Sequence, residues 1–100
     1  MLPSSQDLHP KSGARFVFER EDEAGLRYAL LIYLPEQRLW RGGLRRDADG
    51  SATIEDESGA PVDAAAEGVD EALRWAFAEG LKLARVLRKD PKPRLTRWRG

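Results

Sequence analysis

The side chains best suited to chemistry in this chain are arginines set among aromatic and apolar residues. Arg15, Arg27, Arg41 and Arg45 accompany Leu31, Tyr33 and Trp40, and Arg94, Arg97 and Arg99 surround Trp98. Guanidinium groups fit phosphate and carboxylate oxygens in a planar, two-point manner. Aromatic rings offer every base a stacking face. This combination suits either a protein interface or a single-stranded nucleic acid.

Other kinds of chemistry lack their parts. The only histidine, His9, stands in a polar N-terminal stretch, so no histidine-based triad or zinc cluster can be assembled. There is no cysteine, which removes thiolate catalysis and cysteine-based metal sites and fits a reducing cytoplasm. DADGSATIEDES, from Asp47, has the acidic first and third positions of a calcium loop, but Ala52 stands where the sharp turn needs glycine and Ser58 where a bidentate glutamate should close the site. It reads as a hairpin turn. Glu55, Asp56 and Glu57 are contiguous, so strand alternation splits them between faces, and they read as a solvated acidic edge. The expectation is a protein that is not an enzyme and carries no metal or cofactor.

The elements that must position the arginines follow from hydrophobic period. Ala14–Arg20 alternates Phe16 and Phe18 against Arg15, Val17 and Glu19, the period of a strand. Leu26–Leu34 is a second, more apolar strand, Gln37–Arg46 a third with a bulge or bend expected at Gly42-Gly43, and Ser51–Glu57 a short polar fourth. DAAAEGVDEALRWAFAEGLKLARVLRK, residues 63–89, carries the only long helical pattern. Val69, Ala72, Leu73, Ala76, Phe77, Gly80, Leu83, Ala84 and Leu87 share one face of it. Asp63 is the candidate N-cap, although Gly68 allows a start nearer Val69, and Asp90-Pro91 ends the helix at about Lys89.

Short loops make neighbouring strands antiparallel, so the fold class is α+β: a four-stranded antiparallel meander with one long C-terminal helix on one face, ββββα. The domain reading is a flexible arm over residues 1–13, a single domain over 14–89 and a basic tail over 90–100. Up to Leu73 there are eight Lys and Arg against fifteen Asp and Glu, and from Arg74 onward nine against two. The basic charge is therefore concentrated at the C-terminal end. The N-terminal stretch has neither the basic nor the apolar region of a signal peptide, and no apolar run approaches the roughly 20 residues of a membrane-spanning helix. The chain reads as soluble, cytoplasmic and without a membrane partner.

One helix cannot cover both faces of the second strand, where Ala29, Leu31 and Tyr33 lie opposite the core set. Three occupants of the second face are open: the chain's own arm or tail, a second copy or protein partner, or single-stranded nucleic acid. The leading reading is a non-catalytic interaction module that self-associates or binds a protein through that face. Leu31, Tyr33 and Trp40 would be its anchors, with Arg41 and Arg45 at the rim. The alternative is single-stranded nucleic-acid binding by the same face with Arg94, Arg97, Trp98 and Arg99. Trp75, opposite the helix's apolar stripe, is a further interface candidate unless its ring lies along the stem of Lys82 or Arg85.

Overall fold

The structure, a computed structural model, describes residues 12–47, 49–63, 65–90 and 92–100. Most of the N-terminal arm, with His9, lies outside the described residues. Phe16 and Phe18 are buried in β1 (Ala14–Arg20), Tyr28, Leu30, Ile32 and Leu34 in β2 (Arg27–Leu34), Leu44 in β3 (Arg38–Arg46) and Ile54 in β4 (Ala52–Asp56). All lie on one face of the sheet, where α1 (Glu71–Lys89) packs. Each such side chain contributes about 1.5–3 kcal/mol by leaving water. The antiparallel α+β architecture is the one expected.

The sheet nonetheless has five strands, in the order β4-β3-β2-β1-β5, because Arg94–Arg99 forms β5 along β1. The segment read from sequence as a basic tail is thus a strand. Its Leu95 pairs with Phe18 and joins the core at 2% exposure. Polar alternation hid this strand, since only one of its six side chains is buried.

The helix begins at Glu71 and not at Asp63. Asp70 is its N-cap, with Oδ1 accepting from the Leu73 amide at 2.9 Å and Oδ2 2.8 Å from Arg38. Asp63 instead accepts from the Ala65 amide, two residues on, as in a local turn. The expected end at Lys89 is found, with Asp90 as C-cap. Ala76, Gly80 and Ala84 recur every four residues on the buried face, and a side chain at Gly80 would meet Ile54 Cδ1 at 3.4 Å. This small-residue line lets the helix approach the sheet closely.

No bulge interrupts β3 at Gly42-Gly43. The pairing runs straight through, Trp40 opposite Ile32, Gly42 opposite Leu30 and Leu44 opposite Tyr28. Trp40 therefore points to the helix, where its ring meets Phe77 edge-on with centroids 5.0 Å apart. The need for glycine at position 42 comes from packing: a Cβ there would overlap the Trp40 ring and the Glu55 carbonyl oxygen.

Candidate functional site

With the register fixed, the face of the sheet away from α1 can be assembled row by row. Trp98, Arg15, Tyr33 and Leu39 form one row across β5, β1, β2 and β3. Thr96, Val17, Leu31 and Arg41 form the next. Arg94, Glu19, Ala29, Gly43 and Glu55 follow, and then Arg27, Arg45 and Thr53. Directly opposed side chains lie about 4.5–5.5 Å apart at Cβ. Among the described residues no element packs across this face, for β5 lengthens the sheet without folding over it.

Seven of the residues expected at a binding surface share the face: Arg27, Leu31, Tyr33, Arg41, Arg45, Arg94 and Trp98. Arg15 belongs with them. Arg97 and Arg99 do not, because they alternate with Thr96 and Trp98 and point to the helix side. Arg97 Nη1 donates to the Thr96 carbonyl at 2.9 Å, and Arg99 Nε lies 4.0 Å from Glu79. Trp40 is also lost to this face, Leu39 taking the place expected of it. Sequence carried a signal for that exchange, since unbroken alternation through the glycine pair puts Leu39, Arg41 and Arg45 together.

The face is not a bare apolar patch. Val17 is only 1% exposed, and Ala29, Leu31 and Tyr33 are half-buried. Its exposed large apolar residues are Trp98 and Leu39. Trp98 is held at the margin by its indole Nε1, which donates to the Ser12 carbonyl at 3.0 Å.

Five arginines on the face meet two glutamates, and the pairing is uneven. Glu55, read from sequence as a solvated edge residue, is instead buried at 5% exposure. Its carboxylate accepts from Arg45 Nη1 at 2.7 Å and lies 3.6 Å from Arg27. Burial of a charge requires partners of this kind. Arg94 stands 3.9 Å from Glu19. Arg15 and Arg41 make no ion pair among the described residues, and both lie beside Tyr33, Arg15 next to it in its row and Arg41 diagonal to it.

Two grooves lie elsewhere. One of about 680 Å³, between α1 and the β3–β4 turn, is lined by Arg46, Arg85, Arg88 and Lys89 above Leu81 and Ala84. Arg46 is engaged there structurally, donating to the Leu87 carbonyl at the helix end at 2.9 Å. The other, of about 530 Å³, has Trp75 at its wall with Leu34, Pro35 and Glu71. Trp75 is 38% exposed and separate from the sheet face. The acids of the calcium-like stretch serve turns. Asp49 accepts from the Ser51 amide at 2.8 Å, and Asp47 from the Ser51 hydroxyl at 3.1 Å. No helix is long and apolar enough to cross a membrane among the described residues.

Comparison with protein-family models, with curated proteins and with solved structures returns no match, so the meaning of this face rests on its own geometry.

Proposed function

We propose that the protein is a non-catalytic module that binds single-stranded nucleic acid on the sheet face away from the helix. The observation that carries this reading is the row Trp98, Arg15, Tyr33, in which an arginine without an ion pair among the described residues stands between two aromatic rings, with Arg41 diagonal to Tyr33. Successive bases stack on the rings while the guanidinium groups engage phosphates. Arg27, Arg45 and Arg94 flank the path and are partly neutralised by Glu55 and Glu19, which limits affinity and leaves Arg15 and Arg41 as the principal phosphate contacts. The cysteine-free composition suits work in the cytoplasm.

Self-association or capture of a protein through the same face is less favoured, because its apolar centre is already sheltered: Val17 is buried and Leu31 half-buried.

The test is fluorescence anisotropy of a labelled single-stranded oligonucleotide at several salt concentrations. Binding should weaken as salt rises, with the log–log slope falling by about 0.7 for each phosphate-contacting arginine removed, as in Arg15→Ala and Arg41→Ala. Tyr33→Ala should weaken binding with little change in slope, by about 1–3 kcal/mol if the ring stacks on a base. Arg97→Ala, on the other face, is the control. No binding at low salt would refute the reading.

A further inference from the structure

The two edges of the sheet differ. In β4, Asp56 donates its amide to the Ala60 carbonyl and Ile54 accepts from the Val62 amide, so residues 60–62 close much of that edge. At the opposite edge, Arg20 donates to the Pro93 carbonyl, and the two residues are directly opposite in the β1–β5 register. Antiparallel pairing alternates, so Leu95, Arg97 and Arg99 direct their backbone groups at β1. The amides and carbonyls of Arg94, Thr96 and Trp98 therefore point outward. Of these, the Thr96 carbonyl receives the Arg97 guanidinium of its own chain.

We propose that β5 is a self-pairing edge, joining a second copy of this chain through a two-fold axis at Thr96 to form one continuous ten-stranded antiparallel sheet. Such an axis, perpendicular to the sheet, keeps each face on its own side. It sets Thr96 against the second copy's Thr96 and Arg94 against the second copy's Trp98, twice over. These are the positions with outward backbone groups, so every pair is of the hydrogen-bonded kind. The side chains also match: two threonines suit each other across strands, and a guanidinium facing an indole is a favourable cation–π pair. On the helix side Leu95 faces the second copy's Arg97. An axis at Arg97 instead would oppose two like charges and place backbone groups that already bond β1 at the junction.

Charged edge residues often discourage pairing. Here two of the three strand arginines have carboxylates of their own chain, Arg94 with Glu19 and Arg99 with Glu79. The third, Arg97, gives up its contact with the Thr96 carbonyl to the incoming Thr96 amide. The pairing stands independently of the nucleic-acid reading. If that reading also holds, each Trp98 lies between its own Arg15 and the second copy's Arg94, and the two binding faces become one.

Sedimentation equilibrium of the full chain tests the pairing directly, with a concentration-dependent dimer as the expected result. Thr96→Pro removes an outward amide and no bond to β1, so it should raise the dimer dissociation constant at least tenfold with an unchanged circular dichroism spectrum. Because the chain has no cysteine, Thr96→Cys gives a clean second measurement. Opposed hydrogen-bonded residues have Cα atoms about 5.5 Å apart, within disulfide range. Mild oxidation should therefore cross-link Thr96→Cys much faster than Ser58→Cys, placed on an exposed turn. A wild-type monomer at millimolar concentration, a Thr96→Pro chain that folds and dimerises as wild type does, or equal cross-linking of the two cysteine variants would each overturn the proposal. If Thr96→Pro does not fold, the cysteine comparison decides alone.

Discussion

Trp40 and Phe77 meet edge to face, ring centroids 5.0 Å apart and planes inclined by 72°, and this contact ties β3 to the helix. The indole reaches Phe77 by lying over Gly42, two residues along the same strand face. Gly42→Ala should therefore cost about 1–3 kcal/mol, because the new Cβ meets the backbone carbonyl of Glu55 as well as the ring, and backbone cannot step aside. Gly43→Ala faces the open side, where the nearest atom, the Tyr28 carbonyl oxygen, is 3.2 Å away. It should be the milder of the two. Urea denaturation of both variants measures the difference.

The β2–β3 turn is strained. Glu36 and Gln37 both adopt left-handed backbone, at φ 63° and 62°, and the Arg38 amide bonds back to the Pro35 carbonyl at 3.4 Å. Both central residues of a type I′ turn have this conformation, which asparagine and glycine accept at little cost. Replacing Glu36-Gln37 by Asn-Gly is expected to stabilise the protein by about 1–2 kcal/mol, read as a higher urea midpoint at unchanged slope.

Tyr28 is fully buried, and among the described residues its hydroxyl meets no well-formed hydrogen bond, the nearby Arg46 guanidinium acting on it only weakly. Burial holds the phenol above its ordinary pKa. A buried hydroxyl left unsatisfied opposes folding, so Tyr28→Phe should be neutral or stabilising by up to about 1 kcal/mol. Loss of more than that in thermal or urea unfolding would mean the hydroxyl has a partner in solution.

Glu55→Gln separates stability from binding. Loss of the carboxylate leaves Arg45 and Arg27 without their shared partner and should destabilise the fold by about 1–2 kcal/mol, a figure held down by the partial exposure of Arg45. The same change releases Arg27 from Glu55 and leaves Arg45 with Asp47, 3.5 Å away, so the proposed binding face gains positive charge. Oligonucleotide affinity should rise while the melting temperature falls.

Acid should loosen the turns and the helix start. The Asp70 carboxyl is held below the ordinary aspartate range, first by the Leu73 amide and further by Arg38. Asp56 is lowered chiefly by the Ser58 hydroxyl, and Asp49 chiefly by the Ser51 amide. A depressed folded-state pKa stabilises the protein above the unfolded value, near 3.9, and that contribution disappears as pH falls through the folded values. The melting temperature should be nearly flat from about pH 7 to 5 and drop below about pH 4, with a shallower drop in Asp70→Asn.

The meander and the helix were legible in the sequence because local period reports burial directly. Phe16 and Phe18, the run from Tyr28 to Leu34, and the stripe from Ala76 to Leu87 each declare a buried face without reference to any distant residue. Such patterns arise wherever one side of an element leaves water. The left-handed turn at Glu36 and Gln37 escaped this reading, since neither residue type favours that backbone and only the strands on either side impose it.

The amino-acid sequence by itself determined the fold class, the face of each early strand that meets the helix, and the excess of arginine and aromatic residues left for the other face. Tertiary structure decided which of them meet. Trp98 stands beside Arg15 because β5 pairs with β1 across more than eighty residues of chain, while Arg97 and Arg99 turn away by the two-residue alternation of that strand. Glu55 is buried because β4 brings it to Arg45. Local propensity falls silent on such pairings: with one apolar anchor in a polar strand, partner and register are set by the edge that is free to accept it and by the core position waiting for Leu95.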